Sequence, residues 1–227
     1  MIVPASHVWP AEGVEPRNHW GALAGKLSPL GLSRLDRPLL IGIRGLTLYA
    51  AETHEVVART GYYDTGVLLY PDATTSAAPF VFQFATYPYQ NRSRASDDGD
   101  GDGVGDVATI RPGHYVLTLA RTGSDPVWTM STLDGRVRIP CARDLNQDGR
   151  IDAIEGARDF TASAILLHKG AADGRSSIGC QTAPLDVLSV IARAGKVLDY
   201  RLVLGSTVAR LLDDSGESEP PPPGDIA

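Results

Sequence analysis

Two stretches near the start of the chain indicate its fold class. Residues 37–51 read RPLLIGIRGLTLYAA and residues 55–71 read EVVARTGYYDTGVLLYP. Both are rich in Leu, Ile, Val and Tyr and are punctuated by glycines, a composition typical of β-strands. Residues 78–88, APFVFQFATYP, then alternate in side-chain character with a period of two. That period predicts a strand with one buried face.

Short strands also account for the middle of the chain. Residues 107–121, VATIRPGHYVLTLAR, predict two strands around a turn at Pro112–Gly113. Residues 126–140, PVWTMSTLDGRVRIP, predict a hairpin whose tight turn is Asp134–Gly135.

The C-terminal third predicts two more strands and one helix. Residues 160–170, FTASAILLHKG, are apolar enough for a core strand, and residues 199–205 predict a final strand. A helix should begin at Pro184 and end near Gly195, because apolar residues between them recur on one helical face. We therefore predict a mainly β fold with few helices, a sandwich or partial barrel.

The sequence divides into one domain and two tails. A length of 227 residues and a mass of 24.1 kDa allow one well-buried domain, which we place at residues 37–212. Residues 1–36 are irregular and predict an N-terminal extension. Residues 213–227 are acidic and proline-rich, a composition typical of disorder.

Composition excludes some partners. The net charge is -6, the pI is about 5.3 and no basic stripe is present, which argues against nucleic-acid binding. No apolar run approaches the ~20 residues of a membrane span, so we expect no transmembrane segment. The first residues do not show the basic segment followed by an apolar segment that marks a Sec signal peptide, so we expect none here. Three alternatives stay open: the signal was removed, the protein is exported by another route, or it stays inside the cell. The sequence does not indicate an oligomeric state.

Residues 144–155, DLNQDGRIDAIE, match the complete spacing of an EF-hand calcium loop. Oxygen-bearing side chains recur at alternate positions, and Gly149 provides the sharp turn at position 6. Arg150, at position 7, would contribute its backbone carbonyl. The predicted ligands are Asp144, Asn146, Asp148, Arg150, Asp152 and Glu155. The alternative is a solvated acidic turn.

Residues 98–109, DGDGDGVGDVAT, match the same pattern less fully. Position 12 is Thr109, so the bidentate carboxylate is missing and a weaker calcium site is expected. The predicted ligands are Asp98, Asp100, Asp102, Val104 through its backbone carbonyl, and Asp106. The alternative is a flexible surface loop. Since neither loop is clearly flanked by two helices, we expect one or two calcium ions that staple loops of a β scaffold.

Residues 165–184, ILLHKGAADGRSSIGCQTAP, combine a histidine, a glycine-rich loop and one of only two cysteines. A nucleophilic cysteine needs a base within hydrogen-bond reach and donors for the developing oxyanion. His168 ends the predicted core strand, and Gly179 lets an acyl group approach the backbone at Cys180. Two alternatives stay open: Cys180 is a small buried apolar residue, or it forms a disulfide with Cys141.

The sequence HKG at 168–170 followed by SIGC at 177–180 resembles the HxG…S/T-x-G-C signature of L,D-transpeptidase (YkuD-type) catalytic domains. The resemblance implies a β-sandwich-like fold and a peptidoglycan substrate. It also implies roles for five residues. These are Cys180 as nucleophile, His168 as base, Gly179 and Cys180 as amide donors, Ser177 in support of the turn, and Gly170 in the loop that orients the histidine.

The chain departs from the family at two positions. Ile178 stands where the family has a second histidine. Gln181 and Thr182 follow the cysteine, where the family has an arginine that anchors the substrate. We expect Arg175 to substitute for that arginine, and Gln181 to contact the substrate.

Three functions follow from these features. The first is acyl transfer or hydrolysis on peptidoglycan stem peptides through a Cys180 acyl-enzyme, of the L,D-transpeptidase or L,D-carboxypeptidase type. The second is a secreted interbacterial effector or phage-type peptidoglycan endopeptidase on the same scaffold. The third is a non-enzymatic, calcium-stapled wall-binding module. All three would act in the periplasm, the cell wall or outside the cell.

Overall fold

The computed structural model describes residues 36–46, 53, 55–57, 61–70, 80–88, 97–171 and 179–213. Apart from Asp36 and Asp213, the predicted N-terminal extension and C-terminal tail lie outside these residues, and their organisation stays a prediction. Eleven strands and three helices occur in the described part. The predicted mainly β fold is therefore confirmed.

The elements are bounded as follows. The strands are β1 Leu39–Arg44, β2 Asp64–Leu69, β3 Phe80–Phe84, β4 Val107–Ile110, β5 Gly113–Arg121, β6 Val127–Thr132, β7 Ile139–Asp144, β8 Phe160–Ala162, β9 Leu166–Lys169, β10 Gln181–Ala183 and β11 Val197–Leu204. The helices are α1 Ala153–Ala157, α2 Leu185–Ala194 and α3 Gly205–Asp213.

Eight strands form one sheet that closes on itself. Its order is β10-β9-β6-β5-β11-β1-β2-β3, so β10 and β3 are its two edges. An antiparallel bridge joins these edges, because Ala85 and Thr182 exchange two backbone hydrogen bonds of 2.9 and 3.0 Å. The sheet therefore has a barrel-like arrangement. A second sheet of three strands, in the order β4-β7-β8, packs beside it.

Strand β1 is buried along its whole length, which explains the nearly continuous apolar run at 39–43. Leu40 belongs to the core that also contains Phe82, Trp128 and Tyr200. Leu39, Ile41 and Ile43 belong to a second apolar cluster, which includes Val208 of α3. Both faces of β1 are thus covered, one inside the barrel and one beneath the C-terminal helix.

One glycine of β1 admits a core tyrosine. A Cβ atom at Gly42 would lie only 2.5 Å from the Tyr200 hydroxyl. That hydroxyl donates a 2.8 Å hydrogen bond to Oε1 of Gln181. The absence of a side chain at Gly42 therefore lets Tyr200 reach the start of β10.

The predicted helix at 184–195 is confirmed as α2, with Pro184 before its first turn and Val187, Leu188 and Ile191 buried. The predicted final strand is confirmed as β11. Helices α1 and α3 were not predicted. Helix α3 follows β11 at Gly205, where a Cβ atom would lie 2.6 Å from the Gly45 carbonyl oxygen.

The hairpin predicted at 126–140 was wrong in its pairing. The turn at Asp134–Gly135 is present, since the Gly135 amide donates to the Thr132 carbonyl and Gly135 has a φ of 82°. However, β7 leaves β6 and pairs with β4 and β8 in the second sheet. The two strands predicted around Pro112–Gly113 are confirmed as β4 and β5, which lie in different sheets.

The single strand predicted at 160–170 was also wrong. It is broken into β8, in the second sheet, and β9, in the first. Ala164 lies at the break and has a φ of 56°, in the left-handed region that a strand cannot continue through. The apolar sequence persists because both strands face the same core.

A buried polar network lies beside the bridge between β3 and β10. Asp64 accepts hydrogen bonds from the amides of Gly45 and Thr86 and from the Thr86 hydroxyl, all within 2.8 Å. Arg44 donates to the Thr86 hydroxyl and carbonyl and to the Ile110 carbonyl. Burial lowers the pKa of Arg44, and the Asp64 charge opposes that effect. The network thus satisfies a cation and an anion inside the fold.

Replacing Asp64 by Ala should lower the free energy of unfolding by about 3–5 kcal/mol, because it leaves a buried guanidinium without its counter-charge. Urea unfolding followed by circular dichroism measures this loss. Asp159 is an exposed aspartate and supplies the control, since Asp159→Ala should change stability by less than about 0.5 kcal/mol. Equal losses for the two variants would contradict the importance of the network.

Candidate functional site

Cys180 lies immediately before β10, on the wall of a cleft of about 290 Å³. The break between β8 and β9 forms one side of this cleft, and the Cys180 thiol points at the Ala164 carbonyl oxygen, 3.8 Å away. Arg143 of β7 lines the cleft, together with Asp97 and Asp106 of the segment before β4. The left-handed residue Ala164 therefore shapes the surroundings of the thiol.

The two cysteines differ in their surroundings. Cys141 lies on β7 and is fully buried in the core, whereas Cys180 is only partly buried. Both are thiols, so no disulfide joins these two described residues. Burial raises the pKa of Cys180, and a backbone hydrogen bond at Leu166 offsets this only in part. The Cys180 thiol is therefore protonated at neutral pH in this conformation.

Gly179 fits tightly before the cysteine. A Cβ atom there would lie 3.0 Å from Cδ1 of Ile165 and 3.3 Å from the Ala108 carbonyl oxygen. A larger residue would push β4 or the break at 163–165 away from Cys180. Close packing thus gives a reason for glycine at this position of the motif.

His168 lies on β9 and lines a second cleft, of about 460 Å³, together with Arg121 and Asp125. Its Nδ1 atom lies 2.7 Å from the Lys169 carbonyl oxygen. Since a carbonyl only accepts, Nδ1 carries a proton, and in the neutral ring Nε2 is the atom that can take one up.

The histidine and the cysteine are neighbours in the sheet but are not hydrogen-bonded to each other. His168 pairs in register with Thr182, two residues after Cys180. That offset is about 7 Å along a strand. The two side chains line different clefts, and each makes its recorded bond to a backbone carbonyl. The predicted Cys–His pair stays a prediction.

Other residues of the motif have varied positions. A Cβ atom at Gly170 would collide with the Tyr62 hydroxyl, which donates a 3.2 Å bond to the Ala171 carbonyl. Tyr62 therefore holds the loop after His168, a contact that the local sequence does not reveal. Ser177 and Arg175 lie outside the described residues, and their roles stay predictions.

Gln181 is buried in the core rather than exposed in the cleft. Its amide nitrogen donates a 3.2 Å bond to the Thr86 carbonyl, and its oxygen accepts from Tyr200. Both ends of the side chain are thus engaged within the fold. These two bonds fix Gln181, the residue that follows the cysteine, and its expected contact with substrate stays a prediction.

The acidic loop at 98–106 gathers three carboxylates. Asp98, Asp100 and Asp106 each offer an oxygen atom within 4.8 Å of the others, so the described residues contain a group that could hold a metal ion. Asp102 is exposed and lies outside this group, with its side chain accepting from the Val104 amide. Three of the predicted ligands are therefore brought together.

Asp106 is the buried member of this group, with a side chain only 2% exposed. One of its oxygens accepts a 2.6 Å bond from the Gly99 amide. The other, Oδ1, is buried and has no hydrogen-bond partner among the described residues. Burial raises the pKa of Asp106, and the nearby charges of Asp100 and Asp102 raise it further. A bound cation would satisfy this oxygen and offset that repulsion.

Backbone amides donate to at least one oxygen of each carboxylate in the loop at 144–155. Glu155 accepts from the amides of Leu145 and Asn146 with one oxygen and from Asp152 with the other. Asp152 in turn caps α1. Asp144 accepts from Gly149, whose φ of 88° matches the predicted sharp turn.

The intermediate positions of this loop follow the same pattern. Asn146 accepts from the Asp148 amide and Asp148 from the Arg150 amide, while the Arg150 side chain pairs with Glu55. The described carboxylates of the loop do not form a group like that at 98–106. The sequence favoured 144–155 as the stronger site, and the structure gathers carboxylates at the other loop.

The two acidic loops lie side by side. Val107, which begins β4, pairs with Asp144, which ends β7. A Cβ atom at Gly99 would lie 3.1 Å from the Leu145 side chain and 3.2 Å from that of Arg143. Because Asp97, Asp106 and Arg143 also line the Cys180 cleft, the loops and the thiol belong to one region of the molecule.

Comparison with known proteins gives no match: no family model and no curated protein matches the chain. In the part that the structure describes, no helix is long and apolar enough to cross a membrane.

Alkylation should distinguish the two thiols. Cys180 should react with iodoacetamide in the folded protein, whereas Cys141 should react only after unfolding. Because burial raises the pKa of Cys180, its thiolate fraction at pH 7 is below that of free cysteine. The rate should grow about tenfold per pH unit up to that raised pKa. Mass spectrometry of peptides from timed reactions measures both rates. Rapid, pH-independent alkylation near pH 7 would show a preformed thiolate instead.

Proposed function

We propose that this protein is a cysteine-dependent enzyme that acts on peptidoglycan stem peptides, with Cys180 as its nucleophile. The position of the thiol supports the proposal. Cys180 lies on the wall of a cleft, directly after the tightly packed Gly179, whereas Cys141 is buried in the hydrophobic core. The resemblance of 168–170 and 177–180 to the L,D-transpeptidase signature provides the substrate class. The periplasm or the cell wall is the corresponding site of action.

The proposed reaction begins with attack of the Cys180 sulfur on the carbonyl carbon between diaminopimelate and D-alanine. His168 takes the thiol proton and delivers it to the departing D-alanine amine as the C–N bond breaks. A thioester remains, and water or an acceptor amine then attacks it and restores the thiol. Water gives carboxypeptidase or endopeptidase activity, and an amine gives a crosslink.

The protonation states fit attack assisted by a base. A thiol whose pKa is raised by burial needs a base at the moment of attack. Nε2 of His168 is the proposed base, because Nδ1 lies 2.7 Å from the Lys169 carbonyl oxygen. The two groups must approach to about 3 Å for this transfer. The proposal therefore includes a movement of His168 or of Cys180 when substrate binds.

We further propose that the acidic loops bind calcium and that the ion staples them. Asp98, Asp100 and Asp106 would supply carboxylate oxygens at the first loop, with Asp102 and the Val104 carbonyl completing the pattern. The buried Asp106 oxygen supports this site. The full EF-hand spacing supports a second site at 144–155.

Cys180→Ala should abolish conversion of purified muropeptides, and His168→Gln should reduce its rate by at least about a hundredfold, because general-base assistance contributes that much. Mass spectrometry of the products measures both effects. Shortened stems indicate a carboxypeptidase, split dimers an endopeptidase and new crosslinks a transpeptidase. His114→Gln is the matched control, since His114 lies on β5 beside Asp199 and should leave the rate unchanged. Muropeptide products formed by the Cys180→Ala protein, or no products from the wild-type protein, would contradict the proposed cysteine-dependent activity.

Calcium should raise the melting temperature, with a gain of about 2.7 kcal/mol in unfolding free energy at a concentration a hundredfold above the dissociation constant. Asp106→Asn should remove most of the gain from the first loop, because it removes the buried ligand charge. Asp148→Asn is the matched change in the other loop. Differential scanning calorimetry with calcium and with a chelator measures both. A gain that survives Asp106→Asn but not Asp148→Asn would place the ion at 144–155, and a gain that survives both would contradict the two assignments.

A further inference from the structure

The Cys180 cleft is lined by one cationic side chain among its described residues, that of Arg143 on β7. The side chain is only 5% exposed. Its Nη1 donates a 3.0 Å bond to the Asp106 carbonyl and its Nη2 a 3.3 Å bond to the Thr161 carbonyl. The guanidinium carbon also lies 5.8 Å from the centre of the Phe160 ring. The two backbone carbonyls and the Phe160 ring therefore fix the Arg143 guanidinium at the cleft.

The anion that pairs with Arg143 is held far less firmly. Asp97 places a carboxylate oxygen 2.5 Å from Nη2, yet its side chain is 57% exposed. A buried guanidinium must keep a counter-charge, because leaving it unpaired costs several kcal/mol. An exposed carboxylate, by contrast, returns to water at little cost. The pair is thus a fixed cation with a replaceable anion.

We propose that Arg143 is a carboxylate-binding subsite of the Cys180 cleft, which Asp97 occupies until a substrate carboxylate replaces it. This inference rests on the proposed function. In a stem tetrapeptide the terminal carboxylate belongs to D-alanine, one residue from the carbonyl that Cys180 attacks. A thiol and a carboxylate subsite for that substrate must therefore share one cleft, as Cys180 and Arg143 do. Exchange of one carboxylate for another keeps the buried charge paired throughout.

The residue after the cysteine does not compete for this role. Gln181 is engaged by Thr86 and Tyr200 inside the core. Arg143 reaches the cleft from a strand 37 positions earlier in the chain, so local sequence around the cysteine does not reveal it. Its planar fork also suits a carboxylate better than the single ammonium of a lysine would.

Calorimetric titration in the Cys180→Ala background tests the subsite without turnover. The probes are the stem tetrapeptide L-Ala-γ-D-Glu-diaminopimelyl-D-Ala and its C-terminal amide. The acid should bind at least about tenfold more tightly than the amide, since a hydrogen bond to a charged group contributes that much. A second pair, N-acetyl-D-alanine and its amide, repeats the comparison without the rest of the stem.

Two variants locate the effect. Arg143→Lys keeps the positive charge but removes the paired N–H donors of the guanidinium. It should reduce the preference for the free carboxylate over the amide by about tenfold. Asp97→Asn removes the competing anion, and should tighten binding of the acids while leaving the amides unchanged. It should also increase the rise in melting temperature that the acid produces, a readout that shows the variant is folded.

The outcomes separate this inference from the proposed function. Equal binding of acid and amide, or an Asp97→Asn protein with no gain for the acids, overturns the subsite even if wild type cleaves muropeptides. A preference for N-acetyl-D-alanine over its amide that depends on Arg143 supports the subsite even if muropeptides are not cleaved. In that case the substrate class, and not the carboxylate subsite, is wrong.

Discussion

Among the described residues, the closure of the fold depends on the pair of hydrogen bonds between Ala85 and Thr182, which joins the two edges of the eight-stranded sheet. An open sheet would leave the edge of β10, next to Cys180, unpaired. Closure brings Thr86 to the same place, and its carbonyl accepts from Arg44 and from Gln181. Through these bonds the buried network of β1, β2 and β3 fixes the strand that follows the cysteine.

This closure also explains why the site is built from distant parts of the chain. Tyr200 of β11 crosses the interior, over Gly42, to reach Gln181. The second sheet approaches from the other side, where Ala108 packs against Gly179. The thiol thus lies between a rigid barrel edge and a smaller sheet that bears both acidic loops.

The sequence could predict features that depend on neighbouring residues. The apolar run of β1, the helix after Pro184 and the turn at Gly149 each follow from local composition and spacing. Strand pairing depends instead on long-range contacts, which is why Asp134–Gly135 forms the predicted turn without the predicted hairpin. The left-handed conformation of Ala164 has no signal in its residue type, since an alanine there is uncommon. The break that shapes the cleft was therefore invisible in the sequence.

The same distinction applies to the site. Motif spacing singled out Cys180, His168 and the loop carboxylates as candidates. It did not indicate that Arg143, Asp97 or Tyr62, all distant in the chain from Cys180, would lie near the cysteine motif. Spacing also did not indicate which loop brings its carboxylates within reach of one another, since the described residues show such a group only at 98–106. Glu155 completes the pattern at 144–155, yet its oxygens bind backbone amides. Asp106 stands in the less complete loop, and packing against Gly99 and Arg143 leaves its second oxygen buried and without a hydrogen bond.

Charged side chains beside the acidic loop share one cleft with the thiol. Asp97, Asp106 and Arg143 line this cleft, and burial raises the pKa of Cys180 there. Every further negative charge makes a thiolate more costly. A cation held by Asp98, Asp100 and Asp106 would neutralise part of this field next to the sulfur. Departure of Asp97 into water would compensate for the arriving carboxylate of a substrate. In the proposed exchange, an equal negative charge leaves the cleft as the substrate carboxylate arrives, so the thiol would meet no added negative charge.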